Sequence, residues 1–277
     1  MRQIDPSTLD RRIRYYGFLV FGFILIALFY RFMGNNLLFQ LGNPPLKNPG
    51  IDNTYWLLHL LSIPQILMEF NLLKYIVDFL LLFFTFISLV AYIKRPSAIS
   101  LFIVLFIYLI TVQSYTANQN KTSVALLLMV IPFMVKQEHF FYIWEALRYY
   151  LLFMIGSSGI YKLINGALFS AGHFSDVLFL QHTDLMVMNP EHFSLVLSKP
   201  FIENGFLGTL AFFIVFLVQT SFIVGFFTKK FDILLFVSLY AFFILTYLFM
   251  RIQNFEFLIL GFTLLKSRDV NFTHTWE

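Results

Sequence analysis

The stretch LLKYIVDFLLLFFTFISLVAYI, residues 72–93, decides the fold class of this chain. Its only charged residues are Lys74 and Asp78, and the rest is almost entirely aliphatic or aromatic. A helix needs about 20 predominantly apolar residues to cross the hydrocarbon core of a bilayer. Because that core holds no water, the backbone polar groups of a spanning segment must be bonded within the segment or to its neighbours. The stretch therefore predicts a membrane-spanning α-helix.

Similar apolar stretches recur along the whole chain. Hydrophobic residues make up 59% of it and charged residues 12%, against about 25% charged residues in a typical soluble domain. No segment is polar enough to form a soluble domain, so we expect an all-α, polytopic transmembrane bundle that forms a single integral membrane domain over residues 1–277. We predict eight spans, with seven as the alternative, at residues 15–33, 72–93, 98–117, 122–136, 139–164, 205–227, 231–250 and 252–266.

The basic residues predict how these spans are oriented. Lysine and arginine concentrate on the cytoplasmic side of membrane proteins. With the N-terminus inside, 11 of the 19 basic residues fall on the inner side. We therefore expect both ends of the chain in the cytoplasm and two outer loops, 34–71 and 165–203, with amphipathic pieces on the outer interface. In the second loop, Asn189 before Pro190 predicts a helix start. The inner basic residues are Arg2, Arg11, Arg12, Arg14, Lys94, Arg95, Lys136, Lys229, Lys230, Lys266 and Arg268.

Charged residues within the predicted spans are candidates for function, because each costs about 2.5–3.5 kcal/mol at a helix centre on insertion scales. Glu145 and Arg148 are three residues apart on the fifth span, so they can pair along one helix face, and we interpret them first as a structural pair. Arg251 is interpreted as an anchor at the interface. Asp78 remains open between a functional and a structural role. Lys162, by position alone, fits a helix-end anchor.

Metal and nucleic-acid sites are not expected. His173, Asp176, His182 and Asp184 are close in sequence, and zinc sites with an open position use three such ligands, but no histidine pair has helical i, i+4 spacing. The chain has no cysteine and no Walker, G-x-S-x-G or H-E-x-x-H sequence. Its net charge of +4 comes from basic residues at span ends. We predict no metal and no nucleic-acid partner.

One segment resembles a known family. ALRYYLLFMIGSSGIYKLINGALF, residues 146–169, is similar to a segment of the HTTM family, the membrane module shared with vitamin K-dependent gamma-carboxylase. Gly159, Lys162 and Leu163 occupy the positions of its G-x-x-K-L element, and Arg148 stands at its head. DoxX-type proteins carry a related element on a four-span fold, but the length of this chain and the order of its elements favour the HTTM family.

The resemblance implies a membrane fold and a role for Lys162, since the matching lysine of the carboxylase is credited with base chemistry. Other family features are missing. Phe243 or a neighbour stands where the family has a histidine, and Gln219 stands where an acidic residue is common. The large extramembrane domain that binds the carboxylase's protein substrate has no counterpart in residues 1–277. These departures argue against glutamate carboxylation.

The sequence leaves two leading functions open. The first is a membrane enzyme, or the remnant of one, that acts on or binds a lipid-soluble molecule such as a quinone at the outer leaflet. Lys162 would be the base, since an amine shielded from water gives up its proton more readily, with Arg148 positioning it and Asp78 as a candidate partner. The second is a non-catalytic membrane subunit that assembles with, or helps to export, another protein. A transporter is a weaker third, because no inverted repeat is evident.

We expect the bacterial inner (cytoplasmic) membrane as the location of this protein, with membrane lipid as a partner.

The orientation can be tested by labelling single cysteines, since the chain has none of its own. Cysteines placed in 34–71 and 165–203 should react with a membrane-impermeant maleimide added from outside, whereas cysteines in 94–97 and 228–231 should react only after the membrane is opened. Labelling of the 165–203 loop from the inner side alone would overturn the predicted topology.

Overall fold

A computed structural model describes residues 6–41, 61–90, 95–115, 123–170 and 172–265, and the side chains of 6–9 and 113–115 are outside that description. Every regular element in these ranges is helical, which confirms the all-α class for the described part of the chain. The α-helices are α1 (Pro6–Met33), α2 (Ile63–Glu69), α3 (Asn71–Val90), α4 (Arg95–Tyr115), α5 (Val124–Met134), α6 (Phe140–Ile164), α7 (His173–Met188), α8 (Phe193–Glu203), α9 (Gly205–Ser221), α10 (Val224–Phe227) and α11 (Asp232–Met250). The 3₁₀ helices are Leu38–Gln40, Gln137–His139, Ala167–Phe169 and Phe255–Leu264.

Five of these helical segments are long and apolar enough to cross a membrane: Asp10–Gln40, Asn71–Val90, Arg95–Val112, Gly205–Phe227 and Asp232–Met250. They correspond to the first, second, third, sixth and seventh predicted spans. Only 17% of the most apolar part of the last segment is buried. Such an exposed apolar surface is suited to lipid and not to water, which supports an integral membrane protein.

The other three predicted spans take different forms. The fourth is α5, whose 11 residues extend only about 17 Å. The eighth is a 3₁₀ helix of 10 residues, about 20 Å long. The fifth is α6, whose 25 residues are long enough to cross but include Glu145, Arg148 and Lys162. The structure therefore supports five spanning helices, and the total of eight stays a prediction.

The chain divides into two compact units, Met1–Trp144 and Glu145–Glu277. In the first unit, α3 packs against α1 and α4, and α5 packs against α4 and α1. In the second unit, α7 and α8 pack together and both contact α9, while α11 packs against the 3₁₀ helix Phe255–Leu264. The expectation that residues 1–277 form a single membrane domain stays a prediction.

Parts of the sequence-based topology lie outside the described residues. They include the middle of the first predicted outer loop, 42–60, and the basic residues Arg2, Lys47, Lys94, Lys121, Lys266 and Arg268. In the second loop, the predicted helix start at Asn189 is wrong. Helix α8 begins at Phe193, because His192 acts as the N-cap and its side chain accepts a hydrogen bond from the Ser194 amide.

Asp78 fastens two segments of the first unit. Its side chain, 4% exposed, accepts hydrogen bonds from the backbone N–H groups of Leu38 (3.4 Å) and Phe39 (3.0 Å). These amides lie at the start of a 3₁₀ turn, where backbone N–H groups lack partners within the helix. A carboxylate that accepts such bonds offsets part of the cost of its own burial. Asp78 thus holds the turn after α1 against α3.

Arg148 holds together the helices of the second unit. Its guanidinium binds both carboxylate oxygens of Asp232, with distances of 2.8 Å from Nε and 2.7 Å from Nη2. Nη2 also donates to the carbonyl oxygen of Gly225 at 2.8 Å. Nη1 lies 3.4 Å from Glu145, which in turn pairs with Lys229 at 2.8 Å. Arg148 is completely buried and Asp232 is 1% exposed, so α6 is joined to α10 and α11 by a charge-neutral network.

Breaking this network should destabilise the protein. We expect Arg148→Met and Asp232→Asn each to cost about 3–5 kcal/mol, because each leaves a buried charge without its partner. Glu145→Gln should cost less, since the Glu145 side chain is 14% exposed and its contact with Arg148 is longer. Thermal unfolding of the purified variants in detergent measures how strongly each substitution lowers the stability. Asp176→Asn, at an exposed position of α7, is the control, and buried-pair variants that melt like this control would contradict the prediction.

Candidate functional site

Lys162 lies in the last turn of α6, and its side chain turns toward a helix of the same unit. The ammonium donates to Oε1 of Gln219 on α9 at 2.6 Å and to Oγ of Ser158 at 3.3 Å. Lys162 is half-buried, whereas Gln219 is 5% exposed. An anchoring lysine at a helix end keeps its charged head in water. Here the head is held instead by an amide on a neighbouring apolar helix.

The close approach of α6 and α9 makes this contact possible. A β-carbon added at Gly159 would lie 2.8 Å from Cγ2 and 3.2 Å from the backbone nitrogen of Thr220. At Gly156, an added β-carbon would lie 3.1 Å from Cγ1 of Ile223. The backbone atom of Thr220 cannot move aside as a flexible side chain could. Small residues at helix contacts allow this kind of close packing in membranes.

One aromatic ring, that of Phe212, borders the lysine and contacts two further rings. The Lys162 ammonium lies 6.0 Å from the centroid of the Phe212 ring, at the outer limit of a cation–π contact. His173 of α7 meets the same ring edge-on, with 5.6 Å between centroids, and Phe174 lies 5.7 Å from it. Phe212 is therefore flanked by Lys162 and His173, which come from different helices. The cluster combines one cation, one titratable ring and apolar walls.

Charge balance separates Lys162 from four other basic residues of the second unit. Arg148, Lys199, Lys229 and Arg251 each lie within 4 Å of a carboxylate. Lys162 has no such contact within the part of the chain that the structure describes; its acceptors are the neutral oxygens of Gln219 and Ser158. A half-buried cation without a neutralising carboxylate is expensive to keep. A molecule that brings an electron-rich oxygen would lower that cost.

The other two candidate site residues lie elsewhere. Arg148 and Lys162 are fourteen residues apart on α6, about 21 Å along the axis, so the guanidinium does not reach the ammonium. Asp78 belongs to the other compact unit and binds backbone amides there. The structure thus brings neither of them into the cluster around Lys162 that the second unit forms.

The histidine and aspartate group of the 165–203 loop is not brought together. His182 is fully buried, with Nε2 3.0 Å from Oγ of Ser194 and Nδ1 2.9 Å from the carbonyl oxygen of Leu178. Asp184 pairs with Arg251 at 2.8 Å, and the hydrogen bond from that guanidinium holds the pKa of Asp184 below its usual range. Arg251 therefore forms an ion pair, and its role as an interface anchor stays a prediction. Within the described ranges, no three His, Asp or Glu residues could hold a metal ion.

Sequence reasoning missed two residues that matter here. Gln219 was noted only as a departure from a family pattern, although a polar amide within the apolar run LAFFIVFLVQTSF is itself a signal. Asp232 was not singled out, because an acid in the first turn of a helix is common and is stabilised there by the helix dipole. Its partner Arg148 lies 84 residues away, so no local pattern could reveal the pair.

Comparison with known proteins adds no relative. No protein-family model matches the chain, and no curated protein and no solved structure matches it. The resemblance of residues 146–169 to the HTTM family therefore rests on those residues and on the order of the helices alone.

Proposed function

We propose that this chain is an integral membrane protein of the HTTM type that binds a lipid-soluble molecule with a polar head, such as a quinone, at the outer leaflet through Lys162. The observation that carries the proposal is the half-buried lysine held by Gln219 and Ser158 with no carboxylate in contact. Eight spans with both ends inside, and a bacterial inner-membrane location, belong to the same proposal. The alternation of basic loops supports that orientation.

The position of Lys162 supports binding of a molecule from the lipid. It lies at the end of α6, and α9, which supplies Gln219, belongs to a segment apolar enough to span the bilayer. A molecule dissolved in lipid could reach such a site from the side, with its apolar part among the lipid chains. Its polar end would then accept a hydrogen bond from the ammonium, and a bond to a charged donor contributes about 1.5–3 kcal/mol.

Catalysis by Lys162 as a base is the stronger form of the proposal. A base has to pass on the proton that it takes, and the groups that contact Lys162 are a serine hydroxyl and an amide. His173, which contacts the same Phe212 ring as Lys162, is the titratable group that the described contacts connect to it. Neither Arg148 nor Asp78 is required, since each is engaged by other partners.

The alternative is a non-catalytic membrane subunit that assembles with or assists a membrane or exported protein. The neutral surroundings of Lys162 favour it over catalysis, because Gln219 supplies no proton relay. The apolar residues exposed along α9 and α11 could face a partner helix as well as lipid. A subunit of this kind should co-purify with its partner at a fixed stoichiometry, whereas a binding protein should retain its small molecule without one.

The test is the content of small apolar molecules in the purified protein. Solvent extraction and mass spectrometry should find a quinone or similar molecule with the parent protein. Lys162→Met should retain at least about tenfold less, which corresponds to the loss of one charge-assisted hydrogen bond. Lys162→Arg should retain it, because arginine keeps the positive charge.

Lys199→Met is the matched control, since Lys199 is exposed and pairs with Glu203 at 3.7 Å. If the Lys162→Met and control proteins melt at the same temperature and retain equal amounts of the small molecule, Lys162 is not its binding site. In the native host, Lys162→Arg separates the two forms of the proposal. Loss of function at normal abundance supports base chemistry, which arginine cannot perform, and full function leaves a binding role alone.

A further inference from the structure

The donors and acceptors at the site do not balance. As an ammonium, Lys162 has three N–H groups and accepts no hydrogen bond. Two of them are directed to Gln219 and Ser158. Because Gln219 presents its oxygen to the lysine, its side-chain nitrogen brings two further N–H groups. Among the described residues, that nitrogen contacts no acceptor. The described residues thus place more hydrogen-bond donors than acceptors at this point.

The site also carries an excess of positive charge. Gln219 stands within the apolar segment Gly205–Phe227, at a position where glutamate would have fitted and would have neutralised Lys162. Glutamine keeps the hydrogen bond but leaves a net charge of +1. The buried charge of Arg148, by contrast, is neutralised within the protein by Asp232. Among the described residues, none supplies a negative charge to Lys162.

Resting on the proposed function, we infer that the group bound by Lys162 and Gln219 is an anionic oxygen group, a phosphate or carboxylate, carried by an amphiphilic molecule. Such a group offers only acceptors and brings the negative charge. The donors of Lys162 and Gln219 match its oxygens, as charge-assisted bonds do in other anion sites. The rings of Phe212 and Phe174 supply an apolar wall for the adjoining part of the molecule. A neutral head would satisfy the donors but not the charge.

The experiment is a lipid titration followed by native mass spectrometry of the intact protein released from detergent. The probes are phosphatidylglycerol, which is anionic, and phosphatidylcholine, whose head is neutral overall. The parent should bind phosphatidylglycerol at least about tenfold more tightly, a difference of about 1.4 kcal/mol. Gln219→Glu should abolish this preference, because the new carboxylate pairs with Lys162. Gln181→Glu, at an exposed position of α7, adds the same charge elsewhere and should leave the preference intact.

Two further measurements separate the sources of the anion and the two proposals. Inorganic phosphate should not displace phosphatidylglycerol. Displacement at equal concentration would identify a free anion as the ligand and contradict the claim that the anionic group is carried by an amphiphilic molecule. An unchanged preference in Gln219→Glu would overturn the inference as a whole. If a quinone is retained in a Lys162-dependent way while no anionic preference exists, the inference fails and the proposed function stands. If neither molecule depends on Lys162, both fail.

Discussion

The buried ion pair between Arg148 and Asp232 is the interaction on which the packing of the second unit depends. A fully buried guanidinium is stable only when its charge is neutralised and its N–H groups find acceptors. Here the Asp232 carboxylate accepts two hydrogen bonds from Arg148, and the carbonyl oxygen of Gly225 accepts a third. Because Asp232 begins α11 and Gly225 lies in α10, the requirement fixes both helices against α6. In an apolar solvent, where burial of hydrocarbon between helices gains little, polar contacts and close packing determine which helices meet.

The need to match a shielded positive charge is met differently at the other end of α6. Within the described residues, Lys162 is held by neutral oxygens and not by a carboxylate, whereas Arg148 is paired with Asp232. The approach of α9 is set by Gly159, where the backbone of Thr220 leaves no room for a β-carbon. One helix therefore carries a cation that is paired with a carboxylate and orders the fold, and another that is held by neutral oxygens and that we propose binds a ligand. This contrast, more than the resemblance to a family, motivates the functional proposal.

Much of the fold could be predicted from the sequence, because long apolar runs have only one stable form in lipid. Helices α3, α4 and α11 match three of the predicted spans to within three residues, and α1 ends with the first predicted span but begins nine residues before it. The sixth predicted span is divided at Phe222 into α9 and α10, a detail of backbone geometry that composition does not encode. The Phe255–Leu264 segment is as apolar as a span but winds as a 3₁₀ helix. For the site, Lys162 stood out as a charge in an apolar helix, whereas its contact with Gln219 depends on how α6 and α9 pack.

The central claim is that the chain leaves the charge of Lys162 to be matched by a bound molecule. It is tested most directly by an electron cryomicroscopy map of the protein in a nanodisc of native lipids. The account predicts density for an elongated molecule whose polar end lies within hydrogen-bonding distance, about 2.7–3.2 Å, of the Lys162 ammonium and the Gln219 amide. A map in which Lys162 extends into the head-group layer away from Gln219, with no bound molecule beside it, would contradict the account.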